Sequence, residues 1–310
     1  DLAADALDVV LVSPERLANP GFGARVLQHL AGRLGLLVID EAHAVSDWGH
    51  DFRPDYRRVS DVLQQLNPDT PVLATTATAN HAGWTLDGSK AVVLAAPSAD
   101  RLIVSARDGV GLSLFLVDAK ATGIRLRSYP TQDGARAADI TFSAVQVGPE
   151  ALLGPAGGAL ALIERAVDQA NAALCAEAVG IMAALNEVTL EYLKTRKQFG
   201  VPIGKFQALQ HRMADMVIAT EQARSMAILA AVRADDTDAR ERRRAIAAAT
   251  AYVLQSARLV GQQAVQLHGG MGVTDELNVG HYFKRLTMIG LAFGDVDYHL
   301  GRFSDTLLAA

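Results

Sequence analysis

Apolar residues change their spacing twice along this 310-residue chain. Through residues 1–80, strand-length apolar runs, DVVLV (8–12), LGLLVID (34–40) and PVLATTA (71–77), alternate with helically spaced stretches such as RVLQHLAGRL. That rhythm predicts a partial α/β segment with a parallel sheet. Residues 83–147 carry short runs, KAVVLAA, RLIVSAR, LSLFLVD and ADITFSAVQV, punctuated by Asp-Gly at 87–88, 108–109 and 133–134. No helical spacing lies between them, so residues 83–150 read as a partial antiparallel β-domain with turns at those dipeptides. From the glycine-rich GPAGGAL onward, residues 151–310 show four helical segments, roughly 158–198, 203–233, 238–267 and 275–304. Turns are expected at GVPIG, ADDTD and HGGMG. Phe206, Leu209, Met213, Met216 and Val217 fall three and four apart, one apolar stripe of a core-facing helix. Long helices with short joints predict an antiparallel all-α four-helix bundle, so the expected fold class is mixed.

Composition narrows the function classes. Half of the residues are hydrophobic, few of them aromatic, which suits an Ala-rich helical protein and excludes a disordered one. A formal net charge of −5 excludes global attraction to nucleic acid or anionic lipid. Cys175 is the sole cysteine, so no disulfide forms within the chain, and a reducing, cytoplasmic setting is expected. No signal peptide is visible, no apolar run is expected to span a bilayer, and no membrane partner is expected. Opening at Asp1 in mid-pattern, the chain reads as a piece of a longer one. The stretch ADDTDARERRRA (234–245) could be a basic patch; its acids offset its arginines, which favours a solvated interhelix turn with an Asp or Thr cap.

VIDEAHAVSDWGHDFRPDYRR, with SPERL (13–17), DEAH (40–43) and ATTATA (74–79), resembles the RecQ family of DNA helicases over roughly the first quarter of the chain. The resemblance implies that Asp40 holds Mg²⁺, that Glu41 orients the attacking water, and that Trp48, His50, Phe52 and Arg53 couple DNA contact to ATP hydrolysis. A phosphate cradle needs G-x-x-x-x-G-K-[ST]. GVPIGKF (200–206) has the wrong spacing and a Phe in place of the hydroxyl. Asp40 and Glu41 therefore read as a vestigial ATP/Mg site in an inert motor fragment, residues 1–80, and nucleic acid is not an expected partner. His43 and His50 have no third convergent ligand, so no metal is expected.

From Gly83 onward the chain resembles the acyl-CoA dehydrogenase family. GWTLDGSKAVV and SADRLIVSAR match part of that family's middle β-domain; EYLKTRKQFGVPIGKFQALQHRMADM (191–216) and QLHGGMGVTDELNVGHYFKRL (266–286) match its helical domain. The resemblance implies FAD as cofactor and an acyl-CoA thioester as substrate. A carboxylate removes the α-proton while the β-hydrogen leaves as hydride. It also implies an oligomer, homomeric or with another acyl-CoA dehydrogenase subunit, in which one subunit's helical domain touches its neighbour's FAD. Arg196 matches the arginine on the FAD pyrophosphate, where a planar guanidinium gives forked hydrogen bonds. Gln198 and Phe199 match adjoining polar and ring contacts. Gln266, Gly269 and Gly270 match the loop laid against the cofactor. Read from spacing alone, HGGMG is an ordinary helix-joining turn and Arg196 a surface salt-bridge residue.

Departures from the family's pattern matter as much. Its base positions fall on Gly294 and Ala170, and Asn171 stands where a substrate-binding arginine is common; Asp295 is the nearest acid, one residue along. Val92 and Leu94 occupy the positions of the family's flavin-packing tryptophan-threonine pair. A preceding strand and an N-terminal helical domain have no counterpart, and the helicase-like segment stands in their place. The expectation is a small, non-catalytic type of subunit supplying FAD contacts in trans, joined without a linker to a helicase fragment as a chimera. An inert fusion and a helicase fragment are the alternatives.

Overall fold

A computed structural model describes residues 84–107 and 110–308, together with the backbone of three short strands, β1 (Leu37–Ile39), β2 (Val72–Ala74) and β3 (Ala77–Thr78). Asp40, Glu41, His43, Trp48, His50, Phe52, Arg53, the run at 8–12 and the Asp-Gly at 108–109 lie outside the described residues. β1 and β2 pair in parallel, Leu37 against Val72 through Ile39 against Ala74, the arrangement expected of the runs at 34–40 and 71–77.

Two compact units emerge, one of residues 1–129 and 136–159, the other of residues 130–135 and 160–310. In the first, β4 (Thr85–Leu94), β5 (Arg101–Arg107), β6 (Leu112–Asp118), β7 (Ile124–Pro130), β8 (Arg136–Gln146) and β9 (Leu152–Leu153) join β3 in one sheet ordered β7-β8-β4-β3-β5-β6-β9. Alternation places Leu86, Val104, Phe115, Ile140, Phe142 and Val145 in its core. β7 escapes the sequence reading because IRLRSYP is exposed along most of its length and carries no two-fold apolar alternation.

Asp87 and Gly88 do not make the expected turn. They form a bulge inside the ten-residue β4, with Gly88 at φ +130° and Asp87 Oδ1 accepting the Ala144 N–H at 2.7 Å. At 133–134 the expected turn is present, with Gly134 at φ +83°. β3 enters between β4 and β5 through only two residues, antiparallel at Thr78↔Asp87 and parallel at Ala77↔Ala106. Farther along that slot no described strand intervenes, and the Lys90 ammonium on β4 donates to Ser105 Oγ on β5 at 3.2 Å. Burial pulls the Lys90 pKa down.

The helical unit holds α1 (Ala159–Thr195), α2 (Gln207–Arg233), α3 (Ala239–His268), α4 (Asn278–Ile289) and α5 (Val296–Leu308). The fourth expected helix is two helices. Phe293 at φ +52° and Gly294 at φ +110° cannot continue a right-handed helix, and the Asp295 carboxylate restarts one by accepting the Tyr298 N–H at 3.0 Å. Asp238 caps α3, accepting from the N–H groups of Arg240 and Glu241, as the Asp or Thr cap expected in 234–245. The rest of that stretch is not simply solvated: Arg242 is buried and pairs with buried Asp168 at 3.1 Å, while Arg302 approaches the other Asp168 oxygen at 3.6 Å.

Met213 and Met216 are buried as the stripe requires, but Phe206 and Val217 are exposed; the face is completed by Ala219, Ala223, Ala227 and Ala230. Small residues let α2 lie close to α3, with Cys175, Met182, Leu185, Val253 and Val260 filling the shared core. Contrary to the sequence expectation, α1 is long and apolar enough to cross a membrane by length and composition. It is assembled from short apolar runs that no single stretch reveals, and its Cys175, Ala178, Met182 and Leu185 are spent inside this unit's core.

Candidate cofactor-binding surface

Local sequence builds one end of the helical unit. After Thr195 the chain turns into a two-residue hairpin, β10 (Lys197–Gln198) and β11 (Val201–Pro202), with Phe199 at φ +54° and Gly200 at φ +79° at its tip. The hairpin is fixed by the Arg196 carbonyl accepting the Ile203 N–H at 2.9 Å and by Gly204, where a Cβ would meet the Leu193 carbonyl oxygen at 2.9 Å. Phe199 is thereby held in strained backbone with 91 % of its surface exposed, touched by Phe206 with ring centroids 6.1 Å apart.

At the far end of α3 the turn Gly269–Val273 folds back tightly. A Cβ on Gly272 would lie 2.6 Å from the Val265 carbonyl oxygen, so glycine is needed there for packing. Gly269 and Gly270 differ: Gly269 sits at φ +59°, and a Cβ on either would meet nothing within 4 Å. Their backbone faces open space beside exposed Gln266.

Two residues that sequence reasoning missed bring these pieces together. Tyr192, one helical turn before Arg196, donates its hydroxyl to the His268 carbonyl at 3.3 Å, and the two rings lie 4.4 Å apart. His268 Nδ1 meets the Ala264 carbonyl at 2.8 Å, and burial lowers the imidazole's pKa, so a neutral ring is favoured. The latch sets Arg196, Gln198 and Phe199 at the same end as Gln266, Gly269 and Gly270. Arg196 is exposed, and among the described residues its guanidinium meets no carboxylate. A forked cation at the same end as two glycines whose backbone is open has the chemistry to take an anion. The signal for the latch was a Tyr and a His each adjoining a motif, but their contact spans 76 residues and leaves no local period.

The expected base positions hold no base. Gly294 projects toward the Tyr298 ring, where a Cβ would lie 2.1 Å from Cδ1. Ala170 is half-buried; Asn171 is buried with Nδ2 lacking a partner among the described residues. Asp295, the nearest acid, spends its carboxylate on the α5 cap. In the β unit, Val92 sits exposed at a second bulge with φ +50°, its N–H donated to Asp139 Oδ1 at 3.1 Å. The Asp139 carboxyl is held down at about 2, chiefly by the Tyr129 hydroxyl, then by Arg127 and the Val92 N–H. Leu94 is also exposed. These two positions offer apolar surface and no side-chain hydrogen-bond donor.

Comparison with known proteins agrees with the fold. Residues 157–308 match the acyl-CoA dehydrogenase C-terminal domain and residues 66–146 its middle domain, and the chain belongs over these residues to the acyl-CoA dehydrogenase family. Residues 1–83 match the DEAD/DEAH box helicase family, overlapping the middle-domain match at 66–83. The mitochondrial short-chain specific acyl-CoA dehydrogenase of Sus scrofa is 31% identical over 234 residues, 71% of this chain and 56% of that protein. The chain thus spans little more than half the length of such relatives. Among solved structures, a steroid ACAD variant is 34% identical with a TM-score of 0.67, covering 76% of this chain and 63% of that one. An FAD complex of PigA is 27% identical with a TM-score of 0.70, covering 75% and 63%.

Proposed function

We propose that this chain is a non-catalytic type of acyl-CoA dehydrogenase subunit, acting in a cytoplasmic oligomer that dehydrogenates an acyl-CoA thioester with FAD. Its part is to hold the pyrophosphate end of an FAD whose flavin is bedded in a neighbouring subunit. The observation that carries this reading is the cationic end of the helical unit, where an Arg196 guanidinium that meets no carboxylate among the described residues shares one end with the open Gly269–Gly270 backbone. Arg196 would take the pyrophosphate in forked hydrogen bonds, Gly269 and Gly270 would admit it to backbone N–H groups, and Gln198, Phe199 and Gln266 would flank it. FAD supplies the two-electron oxidation, and the proton-abstracting carboxylate comes from the neighbour. Gly294 supports that division, because the Tyr298 ring stands where a base's side chain would begin. The similarity to an FAD complex of PigA supports FAD as the cofactor. Residues 1–83, in this reading, are an inert helicase-type fragment.

Flavin absorbance tests the assignment. The full chain is purified alone and together with an acyl-CoA dehydrogenase subunit that carries a carboxylate at its base position. The mixed assembly should retain FAD, Arg196→Ala should weaken that retention by roughly ten-fold or more, and Arg196→Lys should restore part of it. Unchanged flavin content in Arg196→Ala would refute the reading. DNA-stimulated ATP hydrolysis by the full chain would refute the inert role of residues 1–83.

A further inference from the structure

Lys90 stands apart from the other lysines of the chain. Lys120, Lys194, Lys197 and Lys205 are exposed, and Lys194 and Lys284 pair with Glu191 and Asp275. Lys90 is half-buried; among the described residues its nitrogen meets Ser105 Oγ at 3.2 Å and no carboxylate. Strand register shows how it reaches that hydroxyl. Lys90 pairs across β4 and β8 with buried Ile140, so its stem leaves β4 on the core side. Ser105 alternates with buried Val104 and Ala106, so its hydroxyl faces away from the core. The hydrogen bond joins the two sides: the apolar stem crosses the slot between β4 and β5, and the nitrogen ends at the outer mouth. Burial lowers its pKa, which favours the neutral amine.

The surface at that mouth suits an acyl group. Ile103, two residues before Ser105 and on the same face, is 67 % exposed. Their β6 partners, Leu116 opposite Ile103 and Leu114 opposite Ser105, are half-buried on that face too. The three side chains make an apolar shelf beside the amine. A neutral amine is a nucleophile, and a hydroxyl at hydrogen-bond distance can carry its proton. With an acyl thioester laid on the shelf, the Nζ lone pair attacks the carbonyl carbon. The C–N bond forms, the C–S bond breaks, and the amine proton passes by way of Ser105 Oγ to the leaving thiolate. The products are an N-acyl lysine and a free thiol, and nothing is oxidised or reduced. Exposed lysines are poor competitors, because near pH 8 only roughly one ordinary lysine in a few hundred is neutral.

We infer that Lys90 is a self-acylation site, taking the acyl group of an acyl thioester on the shelf of Ile103, Leu114 and Leu116, with Ser105 as its positioning residue. The choice of a thioester rests on the substrate class proposed above; the flavin contacts have no part in it. The full chain is incubated near pH 8 with acetyl-CoA carrying a heavy-isotope acetyl group, and the occupancy of each lysine is read by mass spectrometry of its peptides. Acetyl-CoA has no β-carbon, so dehydrogenation does not consume it. Lys90 should take up label roughly ten-fold faster than Lys120, Lys197 or Lys205, since a modest fall in ammonium pKa raises the neutral fraction by that factor. Ser105→Ala should slow labelling at Lys90 several-fold and leave the exposed lysines unchanged, and Ser105→Thr, which keeps the hydroxyl, should recover it. Trp84 emission matching that of the parent chain shows that the variants keep the β core. Labelling ranked by exposure, or a Ser105→Ala chain labelled at Lys90 at the parental rate, would overturn the inference. Flavin content of the mixed assembly is read separately. Label at Lys90 without retained flavin would count against the flavin reading alone, and flavin retained without label at Lys90 against this inference alone.

Discussion

His299 is held neutral by its surroundings. Burial first, then the Arg302 guanidinium, pull its pKa from an ordinary 6.5 to about 4, against weaker opposing pulls from Asp295 and the Gly294 carbonyl. That carbonyl is near enough to be felt, yet neither ring nitrogen reaches hydrogen-bond geometry with a described residue. The unfolded chain therefore binds more protons than the folded one between those two values. Stability is complete above about pH 6.5 and falls as pH drops toward 4, by up to roughly 3 kcal/mol from this residue. Urea unfolding of the parent chain and of His299→Leu, each from pH 7 to pH 4.5, checks this. The difference between the two should shrink or reverse as pH falls, and a pH-independent difference would show the imidazole to be solvated. Asp139, held at about 2, titrates below that range and leaves it clear. At this scale the sequence exposes residues inside motifs, such as Arg196 and Gly269, and hides those whose meaning is a distant contact. His299, Tyr192 and the Arg242–Asp168 pair belong to the second group; the last joins residues 74 apart.

Between α4 and α5 the turn at Phe293 and Gly294 is committed to lacking a side chain. Gly294 holds φ +110°, and the Tyr298 ring occupies the space beyond its Cα. Gly294→Ala should cost about 1–3 kcal/mol, part backbone strain and part collision with the ring. Adding Tyr298→Ala relieves only the collision, so in a double-mutant cycle in urea the two changes together should cost less than the sum of their separate costs. Gly294→Ala at parental stability would show that the turn tolerates a Cβ and that a base there was excluded by something else. The same turn explains why four expected helices became five. Apolar spacing runs on through residues 275–304, and the break is decided by φ at two residues, a quantity periodicity does not carry. Asp87-Gly88 errs in the opposite sense: a dipeptide that favours a turn is absorbed as a bulge, because β8 pairs with β4 on both sides of it. The strands at 101–107 and 112–118 were legible outright, their alternating burial matching their alternating residues.

At the scale of the whole molecule, two cores of different completeness share one chain. The helical unit packs Met182, Leu185, Met216, Val253 and Val260 at or below 1 % exposure, on three long helices whose backbone hydrogen bonds are local. The β unit's slot between β4 and β5 is bridged by backbone at Ala77 and Thr78 alone among the described strands, and it leaves Ile103 67 % exposed on β5. Unpaired strand edges forfeit ladder hydrogen bonds and invite local opening, so the β unit should unfold first and all-or-none behaviour should fail. The chain supplies its own reporters. Its two tryptophans are Trp48 and Trp84, and neither lies in the helical unit. Trp84 packs edge-on against buried Phe115 with centroids 5.1 Å apart, so its emission follows the β core once Trp48→Phe silences the other. Far-ultraviolet ellipticity at the helical minimum follows α1 to α5. In urea, the Trp84 transition should precede the loss of ellipticity, with a midpoint lower by more than the width of either curve's error. Coincident midpoints would mean that the slot costs the sheet little and that the two cores unfold as one.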